Sequence, residues 1–584
     1  MKCVAIISGV WIVIGGMVLG GGVSAPRVVG VPPADGGRGL VRVDDREIRH
    51  YSGDRECRFY LLSEDNGETW TEREAPDSHP PNFGGIPKEA PGFARNPRTG
   101  EWIRIQPVRS HVFLSRGGID GEWLAVTRDG ELSNRWRDHR DDLLTLGGIM
   151  RGPVFVNDGR RILVPHHDRH RGVEFHISDD EGLTWKPSGS VVSAPSHQAG
   201  GEHLGVRWRN NGVEASVVEL RDGRLWLLCR TSQDQHYEAW SSDYGETWTE
   251  GEPSRFFGTL TMPTVGRLPD GALIVLWTNT HPLPELRTAT SDTWEDVFTN
   301  RDSHHAAVSR DEGRTWTGFR EVILDEHRNR DDYATFHGPE DRGKHQSEFV
   351  ALDDNRILVS LGQHPQHRRL VILDIRWLEE KSRSEDFAGG LGEWTHHTYI
   401  PRILGHASYN RKPAAEWIDH PDREGGKAMR IRFLDDLDLV NEESGADYRA
   451  GGATWNFPNG ERGVVHVRFQ LPEGTGGVRL SLADRLFNAC DVEVVRYAIF
   501  TGVLEPGGVF GSERLEAGRW YTMSLEWGGV TGQAVCRITL DGAPAGTWRL
   551  NRESPNGISY LHFVSTADGP DEGMIVDAVR AEVR

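Results

Sequence analysis

The stretch that decides the fold is residues 178–185, which read Ser-Asp-Asp-Glu-Gly-Leu-Thr-Trp. The same pattern, Ser-x-Asp-x-Gly-x-Thr-Trp, occurs three more times, at residues 63–70, 241–248 and 309–316. A decayed copy begins at Thr127, so that successive starts are 64, 51, 63 and 68 residues apart. A spacing of about 50 to 70 residues indicates one supersecondary unit that repeats along the chain.

Each copy predicts the turn of a β-hairpin. The Asp carboxylate accepts hydrogen bonds from the amides of its own turn, and the Gly supplies a positive φ. A second hairpin, with apolar strands on both sides of an Asp-Gly or Asp-Asn turn, recurs at residues 154–164, 217–227, 267–275 and 349–359. Two hairpins make a four-stranded sheet, and sheets of this kind repeated radially make a propeller. We expect six blades, near residues 38–75, 84–140, 148–190, 211–252, 259–322 and 345–378.

The composition agrees with an all-β protein and excludes several functions. The 584 residues include 69 Gly and 30 Pro, which suits many turns, and 37% are hydrophobic, which suits a buried core. The net charge of −20 would repel nucleic acid and anionic lipid, so we expect neither as a partner. The sequence has no Cys-x-x-Cys spacing, and we predict no metal and no other cofactor.

The N-terminus predicts export. Lys2 is followed by an apolar run over residues 4–19 and by small residues up to Ala25, which is the layout of a secretory signal peptide over residues 1–25. Because the run is long and Pro26 is a poor cleavage partner, this segment could also persist as an anchor. We expect a secreted or periplasmic protein with no other membrane contact. In an oxidising compartment, Cys490 and Cys536 either pair or remain two separate buried thiols.

A second domain follows the repeats. The charged stretch at residues 379–385 separates a propeller at 38–378 from a region at 385–584 that has no copy of the repeat. Short alternating strands there predict an antiparallel β-sandwich of the jelly-roll type. Its phrases at residues 515–521 and 540–542 resemble the concanavalin-like and laminin-G-like lectin sandwiches. This resemblance implies either a sugar-binding module or a purely structural appendage.

The repeated turns resemble the Asp boxes of the sialidase superfamily. That resemblance covers residues 38–378 and implies a six-bladed propeller with a central active site on the face away from the Asp boxes. It also implies an exo-acting glycoside hydrolase that removes terminal acidic sugars from glycans. The Arg-x-Pro phrase of the family is matched at Arg151, which would bind the sugar carboxylate. The family's acid falls on Asp168, unless Asp168 is only a loop residue paired with Arg169 or Arg171.

The next blade carries the best match, over residues 214–230. Glu214 and Arg230 lie at the ends of one hairpin, so the resemblance makes both members of the pocket; the alternative is a structural salt bridge. Arg301 stands eight residues before an Asp box, in the place of the family's third arginine, and Arg287 competes with it. Three guanidinium groups around one carboxylate suit an acidic sugar.

The sequence departs from the family in the last blade. Where sialidases have a nucleophilic Tyr, this chain has Gln346, and an amide cannot form the covalent glycosyl intermediate. Glu348 shares a strand face with Gln346 and could act as a substitute carboxylate, and Tyr333 in the preceding insertion could replace the nucleophile. Three functions therefore stay open: a sialidase-like hydrolase, another glycosidase that pairs Asp168 with Glu214 or Glu348, and a non-catalytic glycan-binding propeller.

Overall fold

The computed structural model describes residues 23–34, 38–53, 59–75, 92–108, 111–134, 142–147, 151–198, 207–283, 299–331, 343–400, 410–441, 446–510 and 513–584. Nearly all its regular structure is antiparallel strand. Within these residues the exceptions are two single-turn helices, α1 (Ile375–Leu378) and α2 (Val494–Tyr497), and a 3-10 turn at Leu437–Leu439. The predicted all-β class is confirmed.

The described N-terminal strands form six sheets, and each sheet is built mainly from consecutive strands joined as hairpins. The first has β2 (Leu40–Arg42), β3 (Ile48–Tyr51), β4 (Phe59–Ser63) and β5 (Thr71–Glu74). The second has β6 (Gly92–Arg95), β7 (Trp102–Val108), β8 (His111–Gly117), β9 (Trp123–Val126), β10 (Leu132–Ser133) and β11 (Thr145–Gly147). The third has β12 (Val154–Val156), β13 (Arg161–Asp168), β14 (Gly172–Ser178) and β15 (Lys186–Pro187).

The fourth sheet has β16 (Val213–Glu219), β17 (Leu225–Arg230), β18 (Gln235–Ser241) and β19 (Glu252–Phe257). The fifth has β20 (Thr264–Arg267), β21 (Leu273–Trp277), β22 (Ser303–Ser309) and β23 (Thr317–Leu324). The sixth has β24 (Ser347–Ala351), β25 (Arg356–Leu361) and β26 (Arg369–Asp374), and its fourth strand is β1 (Arg27–Gly30) from the N-terminus. The sequence prediction began the propeller at residue 38, and the pairing of β1 with β26 corrects that boundary.

Buried apolar clusters join each sheet to the next and close the ring. Each cluster has members from two neighbouring sheets, and pairs that represent the six junctions are Tyr51 with Trp123, Ile105 with Ile162, Leu163 with Leu227, Trp226 with Trp277, Ile274 with Val359, and Leu358 with Ile48. Because β1 completes the sixth sheet, residues from both ends of the propeller segment share one sheet. That pairing ties the N-terminal strand to the last blade, so the ring is closed by backbone hydrogen bonds as well as by packing.

The four Asp boxes have one geometry. In the box that begins at Ser178, the Ser178 hydroxyl donates to Asp180, and the Gly182 amide donates to the Ser178 oxygen at 2.8 Å. The Thr184 amide and hydroxyl both donate to the Asp180 carboxylate, at 2.9 and 2.5 Å. The four box glycines have φ between 82° and 90°, a conformation that favours Gly. Each box directly follows the third strand of its sheet, at Ser63, Ser178, Ser241 and Ser309.

The box tryptophans differ in burial, and this difference predicts their contributions to stability. Trp316 is 7% exposed and meets Phe256 edge to face at 5.2 Å, whereas Trp185 is only half-buried. We expect Trp316→Ala to lower the free energy of unfolding by about 3–5 kcal/mol and Trp185→Ala by about 1–3 kcal/mol. Denaturant titration measures both, and equal losses would contradict the packing argument.

The C-terminal region is a β-sandwich with one apolar core between its two main sheets. The larger sheet has the order β30 (Glu416–Asp419), β31 (Lys427–Ile431), β44 (Met574–Val583), β35 (Gly463–Gln470), β40 (Trp520–Trp527), β41 (Val535–Leu540) and β42 (Ala543–Arg549), with β27 (Ser382–Glu385) beside β44. The smaller sheet has the order β34 (Gly452–Gly460), β43 (Ile558–Ser565), β36 (Val478–Ala483) and β37 (Phe500–Leu504). Three further hairpins pair β28 (His397–Ile400) with β29 (Asn410–Pro413), β32 (Val440–Asn441) with β33 (Ala446–Asp447), and β38 (Val509–Phe510) with β39 (Glu513–Arg514).

The sandwich packs on the open edge of the fifth propeller sheet. Asn456 of β34 accepts from the Glu321 amide at 3.1 Å and donates to the Phe319 carbonyl at 2.9 Å. Asn459 accepts from the Gly318 amide at 2.8 Å. An unpaired strand edge is costly to bury, and these side-chain amides satisfy the backbone of β23. The sandwich therefore covers an edge that the propeller itself leaves open.

The structure decides the open question of the cysteines. Cys490 and Cys536 are free, buried thiols in two different apolar clusters, so the alternative of a disulfide between them is wrong. Burial raises the pKa of each thiol to about 12, which keeps both protonated and unreactive at neutral pH.

Candidate functional site at the centre of the propeller

Strand direction brings the predicted site residues to one end of the ring. First strands of neighbouring sheets contact one another at four junctions, between β2 and β6, β6 and β12, β16 and β20, and β24 and β2, which places the first strands at the centre. Glu214 lies at the start of a first strand, and Arg230 at the end of the second strand, opposite Val213. Gln346 directly precedes the first strand β24. Because the Asp boxes follow third strands, they lie at the other end of the sheets, as the sequence predicts.

Arg151 crosses the middle of the ring. It is 9% exposed, and its Nη1 donates to Thr264 Oγ1 at 3.2 Å and to the Ser347 carbonyl at 3.4 Å, while its Nη2 donates to the Pro263 carbonyl. A residue of the third sheet thereby binds the first strands of the fifth and sixth. Burial lowers the pKa of Arg151 to about 10, against the opposing effect of Glu214 and Glu348. The guanidinium is still charged at neutral pH and favours the ionised form of both carboxyl groups.

Glu214 and Arg230 form a buried ion pair. Arg230 Nη1 lies 3.2 and 3.1 Å from the two Glu214 carboxylate oxygens, and the two residues are only 5% and 4% exposed. Burial would raise the pKa of Glu214, but Arg230, His167 and Arg151 outweigh it and hold the pKa below 4.5. Glu214 is therefore a carboxylate at neutral pH. The two residues thus form the salt bridge that the sequence analysis left as an alternative, and both lie at the central end of the ring.

Glu348 has the opposite protonation preference. Its Oε1 accepts from the Leu40 amide at 2.5 Å, across the junction between the sixth and first sheets. Burial raises the pKa of Glu348 to about 8, although the Leu40 amide, Arg151 and Arg38 favour the ionised form. This carboxyl group is therefore mostly protonated at pH 7. Glu348 and Glu214 both act electrostatically on Arg151, and carboxyl groups with separated pKa values are typical of catalytic sites.

Arg38 and His167 also belong to this cluster, although neither was a candidate from the sequence. Arg38 is 5% exposed and acts electrostatically on Arg151, Glu348 and His167. It stands two residues before the first strand of its sheet, much as Arg151 precedes β12, and this equivalence was the available signal. His167 Nδ1 accepts from the Glu214 amide at 3.2 Å. Burial lowers the pKa of His167 to about 4, so the ring is neutral and its proton lies on Nε2.

Asp168 has the geometry of a turn residue. Its Oδ1 accepts from the His170 amide at 2.8 Å and from the Arg171 amide at 3.3 Å, in the tight turn between β13 and β14. These amides, the His170 contact first, lower the pKa of Asp168 below 3.8. A carboxylate that is already ionised and bonded to its own turn is poorly suited to donate a proton. The structure therefore favours the loop role that the sequence left open.

Arg301 and Gln346 lie side by side at the junction of the fifth and sixth sheets. Arg301 is 1% exposed, its Nη1 lies 2.9 Å from His345 Nε2, and its Nη2 donates to the Leu260 carbonyl. The segment from Leu260 to Thr264 thus binds both Arg301 and Arg151. Gln346 is 6% exposed, and its backbone carbonyl accepts from the Gly362 amide at 3.2 Å. The candidates Arg287 and Tyr333 lie outside the described residues.

Backbone strain marks the same end of the ring. Glu214, Leu260 and Gln346 have φ of 51°, 53° and 59°, in the left-handed region that non-glycine residues seldom adopt. Outside tight turns, such residues cost about 1–3 kcal/mol each and cluster at functional sites. Glu214 is the candidate base, the Leu260 carbonyl binds Arg301, and Gln346 stands where the sialidase family has its nucleophile.

The described residues contain neither a metal-binding cluster nor a membrane-spanning helix. No group of three or more His, Cys, Asp or Glu side chains there is placed to hold a metal ion. No helix in the described ranges is long and apolar enough to cross a membrane.

The comparisons with known proteins identify the repeat. Residues 123–349 match the family model of the BNR repeat-like domain. This segment includes the Asp boxes that begin at Ser178, Ser241 and Ser309, so its repeats are similar to those of that family. No curated protein matches the chain.

Solved structures similar to this chain include a protein of unknown function from Dyadobacter fermentans, with 21% identity over 61% of this chain and 100% of that chain and a TM-score of 0.38. Trypanosoma rangeli sialidase is 12% identical over 94% of this chain and 92% of its own, with a TM-score of 0.32. An exo-beta-1,3-galactanase from Phanerochaete chrysosporium is 11% identical over 95% of this chain and 100% of its own, with a TM-score of 0.32. The description of this region as a propeller rests on its six sheets and on the geometry of the Asp boxes.

Proposed function

We propose that the protein is an exported glycoside hydrolase that removes terminal acidic sugars from glycans at the centre of its propeller. The observation that carries this proposal is the pair of carboxyl groups around Arg151. Glu348 has a pKa of about 8 and Glu214 a pKa below 4.5, so at neutral pH one is an acid and the other a base. Two carboxyl groups with separated pKa values are what glycoside hydrolysis needs.

The charge of the site supports an acidic substrate. Arg38, Arg151, Arg230 and Arg301 are all at most 9% exposed, and their positions relative to the strands support a common location at the end of the ring that holds both carboxyl groups. Only Glu214 is ionised among the two candidate carboxyl groups, so the cluster keeps an excess of positive charge at neutral pH. Guanidinium groups stay charged at any working pH and bind carboxylates in a fixed geometry, which favours a sugar acid over a neutral sugar.

Without a tyrosine at position 346, the simplest chemistry is direct attack by water. Glu348 would protonate the leaving glycosidic oxygen, and Glu214 would take a proton from the water as it attacks the anomeric carbon. The Gln346 amide can orient the water or a sugar hydroxyl by hydrogen bonding. This mechanism inverts the anomeric configuration, and it requires the two carboxyl groups to be about 6.5–9.5 Å apart in the complex. Asp168 takes no part in it.

The stereochemistry of the first product tests the mechanism. The full-length protein is incubated with a panel of sialosides, other sugar-acid glycosides and neutral glycosides, and the released sugar is followed by proton NMR before it mutarotates. We expect release of an acidic sugar as the inverted anomer. Retention of configuration would show that another group, such as Tyr333, acts as a nucleophile and would refute direct attack by water.

A non-catalytic glycan-binding propeller is the second candidate, and Gln346 is the observation that favours it. If no glycoside in the panel is cleaved while an acidic sugar still binds, the hydrolase proposal fails and the binding function stands. Arg230→Met separates specific from unspecific binding, because it removes a guanidinium from the centre and should weaken the binding of the acidic sugar only.

A further inference from the structure

A cavity lies between the propeller and the sandwich, away from the central end of the ring. It has a volume of about 640 Å³, within the usual range of sites for small ligands. The propeller contributes β23 and the segment that follows it, and the sandwich contributes residues around Leu391, His396 and Trp417. Ala25 and Pro26, just before β1, also line it. The cavity exists only because the two domains are joined along this edge.

The cavity offers an exposed aromatic ring. Trp417 is 48% exposed, although its Nε1 donates to the Phe387 carbonyl at 2.9 Å and Lys427 Nζ lies 4.4 Å from the centre of its ring. The polar atom of the indole is thus already satisfied, and the remaining exposed surface is apolar. An indole with a fixed orientation and an accessible apolar surface is suited to pack against the C–H face of a sugar ring.

The same cavity offers a buried polar atom with no partner. His396 is 8% exposed, and its Nδ1 makes no hydrogen bond within the described part of the chain. Burial, helped by Arg328, lowers the pKa of His396 to about 3, so the ring is neutral. The cost of an unsatisfied buried nitrogen is recovered if a ligand hydroxyl binds there.

Acidic and basic side chains line the cavity in equal numbers. Three acids and three bases line it, namely Glu321, Glu326 and Glu393 with Arg328, Arg330 and Arg383. Arg328 is already bound to the carbonyls of Gly392 and Trp394, at 2.6 and 2.8 Å, and Arg383 pairs with Glu393. Burial raises the pKa of Glu321 to about 7, so this acid is only partly ionised at neutral pH and the lining carries at most a small positive charge. Its many donors and acceptors suit a ligand rich in hydroxyl groups.

We propose that this cavity is a second carbohydrate site, which binds a neutral di- or trisaccharide against Trp417 and His396. The site differs from the centre in its ligand, because the centre has an excess of arginines and this cavity does not. It needs no hydrolysis at the centre, so it can be tested separately from the proposed function. Such a site would hold an uncharged part of a glycan on the enzyme.

The test is a binding titration of the full-length protein with four neutral trisaccharides: cellotriose, xylotriose, triacetylchitotriose and β-1,3-galactotriose. We expect at least one to bind, and Trp417→Ala to weaken that binding about tenfold or more. Arg330→Ala, at an exposed position on the rim, should weaken it to a smaller extent. Neither substitution removes a core side chain, so both variants should melt at the wild-type temperature.

Two matched variants locate the binding. Leu437→Ala changes a residue that is 77% exposed and does not line the cavity, and it should leave the affinity unchanged. Glu214→Gln alters the centre and should also leave it unchanged. The proposal is overturned if none of the four sugars binds at concentrations up to about 10 mM. It is equally overturned if Trp417→Ala binds like the wild type or if Glu214→Gln abolishes binding.

Discussion

Glu348→Gln is expected to lower kcat on the cleaved acidic glycoside by about 10²–10⁴-fold, the usual contribution of a general acid. Gln has the same shape but cannot give up a proton, so the leaving oxygen would depart unprotonated. The wild-type enzyme should lose activity above about pH 8, as Glu348 ionises. It should also lose activity at acid pH, at a value lower than that of an ordinary glutamate, as Glu214 becomes protonated. In Glu348→Gln the alkaline limb should disappear, because the group that causes it is gone.

Glu238→Gln is the matched control for this experiment. Glu238 also has a pKa raised to about 7 by burial, but it lies on the third strand of its sheet, where its carboxylate accepts from Trp226 Nε1 at 2.8 Å. We expect its kcat and pH profile to match the wild type. A Glu348→Gln enzyme that keeps its alkaline limb would refute the assignment of the acid, whatever its kcat. The pH dependence of kcat/KM for all three proteins supplies the comparison.

Arg411→Met is expected to lower the free energy of unfolding by about 3–5 kcal/mol, because it removes the guanidinium that pairs with the buried Asp302 carboxylate. Arg411 belongs to the sandwich and is fully buried, and its Nη2 donates to Asp302 of the propeller at 2.8 Å. Its Nη1 donates to the Arg328 carbonyl at 2.8 Å. The pair joins the two domains beside Arg301, so the variant should also raise KM for an acidic sugar if Arg301 binds it.

The double variant Asp302→Asn with Arg411→Met separates the ion pair from the packing. It also removes the buried Asp302 charge, which no longer has Arg411 beside it, so the double variant should be more stable than Arg411→Met alone. Arg160→Met is the exposed control, since the Arg160 and Asp158 side chains are 60% and 87% exposed, and we expect a change within about 0.5 kcal/mol. Thermal unfolding of the four proteins provides the data. A single Arg411→Met variant as stable as the wild type would show that the domains do not depend on this contact.

Much of the architecture could be predicted from the sequence because its signals are local. An Asp box needs only eight consecutive residues, and the hydrogen bonds that define it join Ser178, Asp180 and Thr184 within one turn. The alternation of the C-terminal strands is equally local. By contrast, the pairing of β1 with β26 joins residues about 340 positions apart, and no local sequence pattern predicts it.

The same distinction between local and long-range contacts applies to the candidate site. Glu214 and Arg230 could be paired from the sequence because they end one hairpin, and the structure places them 3.1 Å apart. The cysteines could not be decided, because whether two thiols meet depends on which cluster each joins. Asp168 and Glu348 could not be ranked as acids either. A pKa depends on burial and on neighbours from other blades, and only folding brings Leu40, Arg38 and Arg151 to Glu348.

The sequence by itself determined the repeat, the all-β class and the end of the sheets where each candidate residue lies, because strand alternation and turn chemistry are properties of neighbouring residues. The tertiary structure alone decided which carboxyl group is protonated, where Arg38 and His167 lie, and how the sandwich meets the fifth sheet. These features arise between residues far apart in the chain. Their energies come from desolvation and from charges that approach one another only when the ring is closed and the two domains are joined.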